Sequence, residues 1–147
     1  MWTKSKSVLL SSILVKIVFV LLIGSAFFLP QLVKWYDAVS LRESVFIPLT
    51  ITLYATLIPA LIAIISLNKL IGNIDKETIF IDQNVKMLRI ISWCCFAVSL
   101  IYGIFGFFIL LSFIICFAAA FFGLILRVIK NVFEQAIEIR EENEFTI

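Results

Sequence analysis

From residue 90 to residue 126 the chain carries no charged side chain. As one continuous helix, rising 1.5 Å per residue, that run would measure about 55 Å. The hydrocarbon layer of a bilayer is only about 30 Å thick. The run must therefore lie deep inside a large apolar core or fold back within a membrane. A chain of 147 residues has no such core. Composition agrees: 63% of residues are hydrophobic and 15% charged, with a mean hydropathy of +1.14. Soluble domains run at roughly 45–50% apolar and about 25% charged. The sequence excludes a soluble domain and a disordered chain, and predicts an integral membrane protein.

Two further apolar runs precede this one. Residues 8–33 are interrupted only by Lys16, and residues 44–68 carry no charge. Each has the length of a single span. In the third run, Gly103 and Gly106 stand where a turn would divide it, glycine being the residue that relieves backbone strain at a tight turn. Starting the third helix near Val85 gives two full spans, with Lys86 and Arg89 snorkelling from its first turns. The predicted fold is all-α: one integral membrane domain over residues 1–147, a four-helix bundle with helices at about 8–34, 44–68, 85–104 and 107–127. A tail over 128–147 prolongs the fourth helix into the cytoplasm.

Basic residues orient this bundle. With four spans and the N-terminus inside, only Lys34 and Arg42 of the twelve Lys and Arg residues face outward. Three spans would move Arg127, Lys130 and Arg140 outside and blur the asymmetry. The positive-inside rule thus selects four spans with both termini cytoplasmic. Trp35, Tyr36 and Tyr102 fall at outer helix ends and Trp93 near an inner one, as an aromatic belt requires. Lys4 and Lys6, followed by an apolar run and Gly24-Ser25-Ala26, loosely resemble a cleavable leader, but the run continues past Ala26 to Trp35, so a span is predicted.

The counts also bound the chemistry. There is no histidine, which removes the commonest acid–base group and metal ligand. Cys94, Cys95 and Cys116 lie in apolar runs without metal-site spacing and read as packing residues. No catalytic, cofactor or metal residues are predicted. A net charge of +2 is too small to suggest direct nucleic-acid binding. An enzyme acting on lipid would have only Asp37 and Glu43 in the outer loop to work with.

Within the spans, Lys16 lies about two turns from the inner end and is expected to snorkel. Pro59 removes the usual donor to the carbonyl of Ala55, and Thr50, Thr52, Tyr54 and Thr56 stand near enough to re-satisfy backbone groups. Ala119 and Gly123 form a small-xxx-small pair, suited to packing inside the bundle or in a homo-oligomer.

Two inner segments hold the polar residues. In residues 68–89, Gly72-Asn73 predicts the turn after the second helix and Asp82 the N-cap of the third. Its basic residues are expected to face lipid phosphates. In residues 127–147, Val128, Val132, Phe133, Ala136 and Ile137 recur at helical spacing. Arg127 and Lys130 then give way to Glu134, Glu138, Glu141, Glu142 and Glu144, and the chain ends on apolar Phe145-Thr146-Ile147. An acidic stalk with an apolar end suits docking on another protein.

Both segments carry a resemblance. Phe80, Asn84, Leu88, Arg89 and Ile91 resemble the "F-x-x-x-N-x-x-x-L-R-x-I" element of a bacterial membrane family catalogued as domain of unknown function 2975. Val132-Phe133, Ala136 and the ending from Glu141 are similar to its closing "VF-x-x-A … EEN-x-L-T-I", with Phe145 in place of leucine. The resemblance implies four helices in the bacterial cytoplasmic membrane and no enzymatic activity. It also implies the genomic company of a small Cro-like helix-turn-helix regulator. The expected function is a membrane regulator or sensor binding such a protein at its inner face, through Phe80, Asn84, Lys86, Arg89, Glu141, Glu142, Asn143, Phe145, Thr146 and Ile147. The rival expectation is an immunity-type protein that protects the membrane by binding a lipophilic ligand, acting through the region of Pro59 or the outer loop.

Overall fold

A computed structural model describes residues 4–41 and 43–145. It contains four helices: α1 (Lys4–Val39), α2 (Phe46–Asp75), α3 (Asp82–Phe105) and α4 (Ser112–Phe145). No strand occurs among the described residues. All four helices are long and apolar enough to cross a bilayer. Their apolar side chains point mostly outward, as lipid-facing helices require, and the small buried core includes Val33, Val85, Leu88 and Phe105.

Two prolines sit within these spans. Pro30 of α1 cannot donate to the carbonyl of Ala26, and the Tyr54 hydroxyl of α2 donates to that oxygen instead, at 3.1 Å. Sequence reading placed Tyr54 near Pro59 and missed its partner in the neighbouring helix. The threonines stay local: Thr50, Thr52 and Thr56 donate to the carbonyls of Phe46, Pro48 and Thr52 in their own helix. At the loop before α2, the Asp37 carboxylate accepts from the Ser44 hydroxyl at 2.8 Å and from the Val45 N–H at 3.0 Å. A negative charge there also favours the N-terminal end of the α2 dipole.

The helices pack in chain order. α1 meets α2, α2 meets α3, and α3 meets α4, while α1 makes no direct helix–helix contact with α4 among the described residues. Between them, at the α1–α2 loop end, an apolar cleft of about 770 Å³ is lined by Leu29, Val33, Tyr36, Leu49, Tyr102 and Ile115.

Three local expectations need correction. The turn after α2 falls at Lys76-Glu77, because α2 runs on through Gly72 and Asn73 to Asp75. Glu77 takes the left-handed conformation there, with φ 60°. The N-cap of α3 is Ile81; Asp82 is the first helical residue and serves the helix dipole rather than a cap bond. The α3–α4 turn occupies residues 106–111, and Gly106 has an ordinary right-handed φ of −57°. Its glycine is needed for space: a Cβ there would lie 2.7 Å from the Phe113 ring.

Candidate functional site

The site is built on the α3–α4 hairpin. Along the apolar part of the pair, polar and small residues bring the backbones close. The Ser92 hydroxyl, fully buried, donates to the Gly123 carbonyl at 2.9 Å, and the Ser99 hydroxyl donates to the Cys116 carbonyl at 2.8 Å. Gly123 faces Phe96, whose ring would sit 3.0 Å from an added Cβ. The Gly123 end of the small-residue pair therefore packs inside the chain.

At the end of the apolar stretch the contacts become charged and aromatic. The Arg127 guanidinium lies over the Trp93 ring, 5.2 Å from its centroid. Arg89 of α3 and Lys130 of α4 both donate to Glu134, each at 3.1 Å. Lys130 is buried, so a nearby carboxylate is what makes its charge tolerable. Glu134 lies beyond the apolar stretch of α4. The hydrogen bond from Lys130, with the charges of Lys130 and Arg89, holds its carboxyl below the ordinary carboxylate range. These bonds persist at neutral pH and weaken only as pH falls through that lowered value. Beyond them, the Phe80 and Phe133 rings meet edge to face, 5.2 Å apart.

Asn84 organises the connection that carries Phe80. Its amide nitrogen donates to the carbonyls of Thr78 and Ile79 at 2.9 and 2.7 Å, and its oxygen accepts from the Asn73 amide at 2.8 Å. The side chain is fully buried. Asn84 is therefore absent from any exposed docking face; it holds the 73–84 connection against α3. Leu88 is buried one turn further on. The five residues of the first motif thus have distinct tasks: Phe80 and Arg89 grip α4, Asn84 fixes the loop, and Leu88 and the likewise buried Ile91 pack.

The remaining predicted residues are distributed along the surface. Lys86 is exposed on α3, and Glu141, Glu142, Asn143 and Phe145 are exposed at the end of α4. Arg140 and Glu144 pair at 3.9 Å. Thr146 and Ile147 lie outside the described residues. Sequence reading missed the roles of Glu134, Lys130, Ser92 and Ser99. The i,i+4 spacing of Lys130 and Glu134 was a readable signal; the pairing of Arg89 with Glu134 across 45 positions was not.

The segments joined here lie within the part of the chain that matches a known family. Residues 35–147 match the family described as protein of unknown function (DUF2975). The chain belongs to this family. It is also similar to the uncharacterized membrane protein YoaS of Bacillus subtilis (strain 168). The two are 29% identical over 110 residues, covering 66% of this chain and 69% of the relative. No solved structure matches. With four apolar helices of spanning length and a relative described as a membrane protein, this is a multi-pass membrane protein. The family match starts at the end of α1 and takes in the whole α3–α4 pair.

Proposed function

We propose that the protein is a non-enzymatic membrane regulator or sensor whose α2–α3 connection and α4 extension bind a small helix-turn-helix regulator. The observation that carries this reading is the joining of the two motifs: Phe80 meets Phe133 and Arg89 meets Glu134, so both belong to one surface. Exposed Glu138, Glu141, Glu142 and Glu144 make its α4 side acidic. A DNA-binding protein is basic where it meets phosphates, which makes this end of α4 its electrostatic complement. The distribution of basic residues supports a cytoplasmic placement for both termini and for this surface. The test is co-purification, in mild detergent, of the full chain with the regulator encoded nearest to it. Capture should be lost on deletion of residues 141–147. Capture of no regulator by the intact chain, or equal capture without those residues, defeats the reading.

The apolar cleft between α1 and α4 favours a second reading, protection of the membrane by binding a lipophilic ligand. Here the same deletion leaves protection intact, while filling the cleft with Leu49→Trp removes it.

A further inference from the structure

A second feature of the fold lies away from the α3–α4 hairpin. Between α1 and α2 runs a slot of about 330 Å³, walled by Val15, Phe19 and Ile64 and edged by Lys16, Asn68 and Lys69. Two lysines thus line one largely apolar slot. Neither has a carboxylate within ion-pair distance among the described residues. Elsewhere in this protein, buried Lys130 is neutralised by Glu134. Lys16 and Lys69 are exposed, so the edge of the slot offers two positive charges to an anionic group from outside the chain.

Depth indicates where that counter-charge comes from. Asn73 bonds to Asn84, so Lys69 and Arg89 stand about 6 and 7.5 Å from that bond along their helices, at nearly one level. Arg89 shares Glu134 with Lys130. Lys16, Lys69, Arg89 and Lys130 therefore form one basic tier, with the uncharged residues 17–33 of α1 spanning about 26 Å on its far side. That length is close to the hydrocarbon thickness, which puts the tier at the headgroups.

We propose that this slot is a binding site for an anionic phospholipid. The lipid phosphate sits between the ammonium groups of Lys16 and Lys69, the Asn68 amide supplies a further donor, and an acyl chain lies along Val15, Phe19 and Ile64. Basic pockets between helices at headgroup depth suit anionic lipids, and the apolar wall excludes a soluble anion as the preferred ligand.

The test uses the full chain in a neutral detergent, with native mass spectrometry of bound phosphatidylglycerol and phosphatidylcholine. Phosphatidylglycerol should be retained preferentially. Lys16→Gln/Lys69→Gln should weaken its retention about tenfold. Lys16→Arg/Lys69→Arg should keep it, and so should Lys6→Gln, which lies outside the slot. A large excess of inorganic phosphate should not displace it. Equal retention of the two lipids, equal retention by the double glutamine variant, or displacement by inorganic phosphate overturns the proposal.

Discussion

At the scale of single residues, the most consequential side chain is one that no docking partner can touch. Asn84 makes three hydrogen bonds within residues 73–84 and is fully enclosed. Replacing it with alanine leaves the carbonyls of Thr78 and Ile79 without that donor, at a cost of about 1–3 kcal/mol. Asn84→Ala should lower the thermal midpoint in detergent and expose residues 76–81 to protease; an unchanged midpoint and digestion pattern refutes the assigned role. The family motif displayed asparagine at this position but not its purpose. A polar residue in a connection reads equally well as a surface contact or an internal clamp. Only the folded path of the loop, including the left-handed Glu77, decides between them.

At the scale of elements, the four spans were readable because charge is expelled from hydrocarbon, so the uncharged runs mark them directly. Helix ends were unevenly readable: the helical spacing of Val128, Val132, Phe133, Ala136 and Ile137 foretold the continuation of α4, whereas that of α2 to Asp75 was missed, since helical hydrogen bonding does not stop where lipid does. The register of α3 against α4 could not be read from sequence, because it depends on serine-to-carbonyl bonds and on the fit of Gly123 to Phe96. Gly123→Leu should force that pair apart and cost about 1–3 kcal/mol. Gly123→Leu combined with Phe96→Ala should recover much of the loss. Thermal unfolding of the three proteins checks this; a single variant as stable as the parent removes Gly123 as the contact point.

At the scale of the whole molecule, an even number of crossings places both termini on one side, and the proposal that this side is the cytoplasm rests on the distribution of basic residues. A reporter active only in the cytoplasm, fused after Ile147, should give signal, and a periplasm-active one should not. The opposite pattern removes the acidic surface from any contact with a DNA-binding partner. The protein divides unevenly at this scale. Three joined contacts run from α1 to α4, and among the described residues α2 is the one helix on which α1 packs. Sequence foretold four helices but not this open order, since apolar faces alone do not specify neighbours in lipid.

Phe80 and Arg89 touch α4 at Phe133 and Glu134, so a tilt of α4 about that contact would be largest at its end. Its outer arm, from Glu134 to Phe145, is about 16 Å long. A ten-degree tilt about that contact would swing the acidic tip by about 3 Å. That is the width of one hydrogen bond, enough to make or break a contact at the far end.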